Sequence, residues 1–300
     1  ALSRLRLAVT GLTGQVVSAL IERSPRDVEI IALGRPQFDL SHRTAVLAGL
    51  RGSRCDVIVN AAAYTAVDQA ESEPEVALRI NGDGAGFVAE IAAELKVPLL
   101  HLSTDYVFDG VLDRPYREDD PPSPASAYGR SKLAGETKIA RIHADHAIVR
   151  TSWIYSPFGA NFVTKMLKLA AENSEIRVVA DQVGNPTSAI DIADALLVMA
   201  TRLCADSDAS LRGVFHIAGA GAASWADVAE FALAESARGG GKTAKVVRIA
   251  TSEYSTPARR PLNSQLDCAK LRVAYGLALP PWKTSVGKCV ARLIAARMPR

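Results

Sequence analysis

The chain has 300 residues, 48% of them apolar, and 35 basic against 32 acidic side chains for a net charge of +3. This is enough apolar material for one full domain plus a smaller one, and the positive balance is too slight and too dispersed for a nucleic-acid footprint. No apolar run approaches a membrane span, and the first strand starts too early to expect a signal peptide. The four cysteines, Cys55, Cys204, Cys268 and Cys289, lack C-x-x-C spacing and point to reduced thiols in the cytoplasm.

In chain order, Leu5–Val9 reads as a buried strand entering the glycine turn Thr10-Gly11-Leu12-Thr13-Gly14-Gln15-Val16-Val17 and then a helix. Such a turn lets backbone approach a pyrophosphate and aims the free N–H groups of the helix at it; glycines also serve simple bends. Position at the first strand end favours a dinucleotide. The third glycine of the usual pattern is replaced by Val17, which puts the closeness of helix–strand packing in doubt. A second strand, Val28–Leu33, ends in Gly34-Arg35, where an NAD site would present an acid to the ribose. A cation there suits a 2′-phosphate and predicts NADPH over NADH, although a solvated loop charge would look the same. Asp39-Leu40 follows and is expected beside the adenine.

Further strands are expected at Asp56–Asn60, Pro98–Ser103 and Ala147–Thr151, separated by segments of helical period. The alternation predicts a doubly wound parallel sheet of α/β class, which binds ligands at the carboxyl ends of its strands. Beyond Trp153 the rhythm changes. Helix Asn161–Ala171, strand Arg177–Ala180, helix Trp225–Ser236, strand Val246–Ile249 and helix Trp282–Ala296 are expected to build a smaller α/β substrate-binding lobe. Helix Ile190–Cys204 and strand Val214–Ala218 are expected to return to the first sheet. The expected division is 1–153 with about 188–218 for the dinucleotide, and about 154–187 with 219–300 for the substrate.

The chemistry concentrates in Tyr128-Gly129-Arg130-Ser131-Lys132, about 25 residues beyond Ser103-Thr104-Asp105. Tyr128 and Lys132, four apart, share a helix face, so the ammonium can favour the ionised phenol. Working near neutrality asks for roughly three pH units of lowering from a free phenol, or about 4 kcal/mol. Thr104, in preference to Ser103, would bind the same substrate oxygen. His143-x-x-His146, at the end of a polar helix beside Asp145, reads as a solvated helix terminus rather than a zinc pair, and no carboxylate cluster suggests a metal.

These stretches, with Asn60-Ala61-Ala62-Ala63-Tyr64-Thr65-Ala66-Val67-Asp68, Tyr106-Val107-Phe108-Asp109-Gly110, Thr151-Ser152-Trp153 and Arg260-Pro261-Leu262-Asn263-Ser264, resemble the extended short-chain dehydrogenase/reductase family almost end to end. The resemblance implies a Rossmann fold and cofactor contacts at Gly11, Gly14, Gln15, Val16, Arg35, Asp39, Leu40, Ala62, Ala63, Tyr64, Tyr128 and Lys132. It implies proton donation by Tyr128, ribose binding by Lys132, and substrate contacts at Thr104, Asp105 and Trp153. Trp153 could equally be a core aromatic, and Asp105 a turn cap. Arg259 and Arg260 are candidates for a diphosphate. Asn81 resembles an asparagine that supports the site, or marks a helix irregularity.

Within that family the stretches imply an oxidoreductase of nucleotide-sugar and polysaccharide biosynthesis, reducing the C4 ketone of dTDP-4-dehydro-L-rhamnose with NADPH, NADH being the lesser option. Sugar-nucleotide 4,6-dehydratases carry a glutamate where this chain has Tyr106, so a dehydratase would lack its base. Other readings are a reductase or epimerase of another nucleotide sugar, or an NADP-binding regulatory subunit of the methionine adenosyltransferase type. The expected partner is a nucleotide sugar, with neither nucleic acid nor membrane; the choice between monomer and homodimer is open.

Overall fold

The computed structural model describes residues 4–297. Six parallel strands form the main sheet in the order β10-β5-β4-β3-β1-β2. Along the chain, β1 (Leu5–Thr10), α1 (Gln15–Arg23), β2 (Val28–Leu33), α2 (Arg43–Ser53) and β3 (Val57–Asn60) come first. Then come α3 (Pro74–Leu78), a π-helical turn at Arg79–Asp83, α4 (Gly84–Leu95), β4 (Leu99–Thr104), α5 (Ala127–Ile142) and β5 (His146–Thr151). The strands β3, β4 and β5 are buried at every position, as expected for a parallel sheet covered on both faces. Two cores do the covering. One packs Val16, Ala19 and Leu20 of α1 with residues of a later helix; the other packs Val46, Leu50, Val88, Ile91 and Ile139 from α2, α4 and α5.

The second half begins with β6 (Ile154–Tyr155), α6 (Phe162–Glu172), β7 (Glu175–Val179), β8 (Val183–Gly184), β9 (Thr187–Ser188) and α7 (Ala189–Ala205). It continues with β10 (Gly213–His216), β11 (Ala223–Ser224), α8 (Trp225–Arg238), β12 (Lys245–Ile249), α9 (Ala269–Tyr275) and α10 (Trp282–Arg297). Helix α7 packs on α1, and β10 pairs with β5, so both belong to the main sheet. A separate core joins Met166 and Leu167, Val178, Val228 and Leu233, and Val286 and Val290. Its two-stranded sheet pairs β12 with β7 in parallel. No helix among the described residues is long and apolar enough to cross a membrane.

Position of the strand ends is what builds the site. Register pairs Thr10 with Asn60, Asn60 with His101, and Thr104 with Thr151, so all four carboxyl termini open on one edge.

Candidate active site

At the end of β1, Gly11 sits at φ +108°, a conformation that L side chains rarely adopt, and a Cβ there would lie 3.0 Å from Val17 Cγ2. Val17 is thus accommodated because residue 11 has no side chain. Gly14 precedes α1 without any side-chain cap, which leaves the first N–H groups of the helix for a ligand. The Thr10 hydroxyl donates to Asn60 Oδ1 at 2.7 Å and accepts from the Ala61 and Ala62 N–H groups, which pins the segment after β3 beside the glycine turn. Gln15 accepts from the Ser156 hydroxyl at 2.6 Å, and Val16 is buried.

Gly34 lies so near that a Cβ would come within 2.5 Å of the Leu12 side chain, and exposed Arg35 follows it. Asp39 accepts from both the N–H and the hydroxyl of Ser41, which hold its carboxyl below the usual carboxylate range. Leu40 is buried, its carbonyl facing Gly84. These features suit a phosphorylated dinucleotide laid along the edge: a glycine bend, a helix start without a side-chain cap and an exposed cation after the second strand.

Helix α5 is set at the end of β4 by two close approaches. The Ser126 hydroxyl accepts from the Gly129 N–H, and a Cβ on Gly129 would sit 2.2 Å from the Tyr106 carbonyl oxygen. A side chain at 129 would push Tyr128 and Lys132 off the strand end. Tyr128 is half-buried, with the Tyr106 ring edge-on at 5.5 Å. Burial first, then the Asp105 charge, hold its phenol well above the ordinary value, while the Thr104 hydroxyl pulls it down. The expectation that Lys132 favours the ionised phenol is therefore not met here. Lys132 Nζ donates instead to the Leu102 carbonyl at 2.7 Å, and burial pushes its pKa down to about 8, against the charge of Glu136.

Thr104, not Asp105, caps the short turn at 105–107, accepting from the Tyr106 N–H at 3.1 Å. Asp105 is 4% exposed, and its Oδ2 has no hydrogen-bond partner among the described residues. Burial raises its pKa to about 7, opposed by Ser264 and Thr104. Ser103 is engaged elsewhere: its hydroxyl donates to Glu136 Oε1 at 2.5 Å, and Arg150 grips the same carboxylate at 2.6 Å. Sequence reading missed Glu136 and Arg150, which lie one helical turn after Lys132 and on the neighbouring strand; only the Glu four residues after Lys132 hinted at them. Asn81 lies in the π-helical turn, bonded to the N–H and carbonyl of Tyr64 and to Ser131, whose hydroxyl reaches the Tyr128 carbonyl. A helix irregularity and a supporting position are here the same thing. Ala63 joins Tyr64 to this segment.

On the other side of the cleft, Trp153 follows β5 at φ +49° and stacks on Trp225. Arg260 donates to Asp68 Oδ2 at 2.8 Å, which ties the loop after β3 to the loop before α9. Exposed Arg259 shares with Arg260, Asp109, Leu112 and Asn263 a cleft of ≈ 420 Å³. His143 and His146 are corrected outright: both are buried, donating to the Val97 and His143 carbonyls, rather than solvated. No group of three or more His, Cys, Asp or Glu among the described residues is placed to hold a metal ion.

A doubly wound sheet with a glycine turn on its first strand and a Tyr-x-x-x-Lys helix on its fourth defines a nicotinamide-dependent oxidoreductase. The family model described as RmlD substrate binding domain matches residues 5–295, and the chain belongs to that family. A dTDP-4-dehydrorhamnose reductase of Sinorhizobium fredii is 51% identical over 290 residues, covering 97% of this chain and 98% of that protein. Another, from Burkholderia thailandensis, is 40% identical over 298 residues, covering 97% of this chain and all of that protein. The crystal structure of the Bacillus anthracis dTDP-4-dehydrorhamnose reductase in complex with NADP is 34% identical, with a TM-score of 0.89 over 96% of this chain and 99% of that one.

Proposed function

We propose that this chain reduces the C4 ketone of dTDP-4-dehydro-L-rhamnose to give dTDP-L-rhamnose, with NADPH as reductant. Relatives that match it nearly end to end carry that activity in their names, and one was crystallised with NADP. The observation that carries the reading is the meeting of Thr104, Asp105, Tyr128 and Lys132 at the end of β4, with Tyr106 where an elimination would need a second carboxylate.

The glycine turn, the open N-terminus of α1 and Arg35 would hold the dinucleotide, and Ala62, Ala63 and Tyr64 would line its path. Bound NADPH supplies the hydride. Tyr128 gives its proton to the new C4 oxygen, and the burial that holds its pKa up keeps that proton in place until the oxygen becomes basic. Thr104 donates to the same oxygen. Lys132, now turned to the Leu102 carbonyl, would hold the nicotinamide ribose and bring a charge towards the phenol. Asp105 and Trp153 meet the sugar, and Arg260 the diphosphate. We assign 1–153 with about 188–218 to the cofactor and about 154–187 with 219–300 to the sugar; residues 1–3 and 298–300 lie outside the described ones. Four free thiols suit a cytoplasmic enzyme.

Mixing the purified chain with NADPH and the ketosugar nucleotide tests this directly: NADPH absorbance falls and dTDP-L-rhamnose accumulates. Cofactor binding without turnover would sink the reading in favour of a regulatory subunit.

A further inference from the structure

We propose that Trp225, at the start of α8, is a positioning residue for the sugar subsite: it fixes the plane of Trp153, against which the 6-deoxy sugar rests. This rests on the reading that Trp153 meets the sugar.

The two indoles stack with centroids 3.6 Å apart and planes 11° from parallel. Trp153 has little freedom otherwise. Its backbone is left-handed at φ +49°, and its N-terminal neighbour Thr151, two residues back, pairs with Thr104. On the β8 side there is room for the ring only because residue 184 is glycine, where a Cβ would lie 2.6 Å from Trp153 Cε2. The antiparallel pairing of β8 with β11 sets Gly184 opposite Ala223, so the same two strands place the glycine and the first residue of α8 around one indole.

Trp225 is itself held from three directions. Ser224 caps α8 with a reciprocal bond to Asp227, the Trp225 Nε1–H donates to Gln182 Oε1 at 3.1 Å, and the Phe162 ring packs at 4.6 Å. Trp153, Phe162 and Trp225 all pack against the core of the smaller lobe. One indole face is thus anchored to that core, and Trp153 remains half-buried with surface left for a ligand. A flat apolar surface suits the C–H face and methyl group of a 6-deoxy hexose better than a hydroxylated carbon, which would be left without a partner there.

The test compares Trp225→Ala, Trp225→Leu and Trp225→Phe with Trp153→Ala in steady-state kinetics, alongside near-UV circular dichroism. Of the three tryptophans only Trp282 lies outside the stack, so the coupled indole signal reports the pair. Trp225→Ala and Trp225→Leu are expected to raise KM for the ketosugar roughly tenfold, leave KM for NADPH unchanged, and abolish the coupled signal. Trp225→Phe keeps a stacked ring and holds KM near the parent value, which answers for any variant that fails to fold. The proposal is overturned if Trp153→Ala raises the ketosugar KM while Trp225→Leu and Trp225→Phe behave alike. If Trp153→Ala itself changes nothing, the sugar reading of Trp153 falls, and the proposal with it.

Discussion

The two halves of the cleft treat charge in opposite ways. On the main-sheet side, Lys132, Glu136, Arg150, Asp105 and His101 are all at most 4% exposed. Among the described residues, no hydrogen-bond partner meets the buried Asp105 Oδ2, Arg150 Nη1 or His101 Nε2. On the smaller-lobe side, ion pairs lie outside, as in Arg248 with Asp227 and Glu230, about half exposed, while the inside is apolar, with the Trp153, Phe162 and Trp225 rings packed against it. Desolvated charge is costly to fold and strong in its effect on neighbours; exposed charge is neither. Under the proposed function, the first half would act on a reacting oxygen and the second would shape the surface that receives the sugar.

The largest expected effect tests the chemistry of the first half. Tyr128→Phe removes one hydroxyl and is expected to lower kcat by about 10²- to 10⁴-fold, the usual worth of a positioned general acid, while NADPH binding is retained. Turnover near the parent rate would mean that another group gives the proton.

Next comes stability. Arg150→Met takes the guanidinium from the buried Glu136 carboxyl, which keeps the Ser103 bond, and is expected to cost about 3–5 kcal/mol in chemical denaturation. The matching change Arg248→Met, in an exposed pair, is expected to cost less than about 1 kcal/mol. Equal losses would erase the contrast between the halves.

Asp105 gives that contrast a pH dependence. Its pKa rises from 3.8 in the unfolded chain to about 7 in the fold, so between those values the folded state binds more protons and stability falls as pH rises. Below pH 3.8 the cost is absent, and above 7 it is complete. Asp105→Asn is therefore expected to raise the unfolding free energy at pH 8 by an amount on the order of 2 kcal/mol in chemical denaturation, and to do almost nothing at pH 3.5. A gain of equal size at both pH values would show that packing, not ionisation, is responsible.

Much of this was legible in the sequence because it is local. The strand at Leu5, the glycine turn and the Tyr128–Lys132 spacing each signal themselves within a few residues, and the strand expected at Val214–Ala218 does return to the main sheet as β10. The Ser103–Glu136–Arg150 cluster was not legible, since its members are 33 and 14 residues apart and bond only after β4, α5 and β5 have packed. The burial of His143 and His146 was missed for a similar reason. A polar helix end looks solvated until the loop before β4 supplies the Val97 carbonyl. The Trp153–Trp225 stack depends on a glycine at 184, which in one dimension is only a turn residue.

The smallest effect lies at the rim of the first half, where charge is exposed and the contrast should weaken. Arg35 stands at the end of β2 with its guanidinium in solvent, and no ion pair among the described residues holds it. A charge-assisted bond to a 2′-phosphate is worth about 1.5–3 kcal/mol when dry, but solvent reduces an exposed contact to about 1 kcal/mol. Arg35→Ala is accordingly expected to cut the NADPH-to-NADH ratio of kcat/KM by roughly fivefold, mainly through the KM of NADPH. The difference between parent and variant should narrow further in high salt, because exposed charges are screened over about 10 Å at moderate ionic strength. An unchanged ratio would mean that the 2′-phosphate is met elsewhere on the edge; a loss of a hundredfold or more would mean that the bound cofactor closes Arg35 away from water, giving the rim the character of the buried interior.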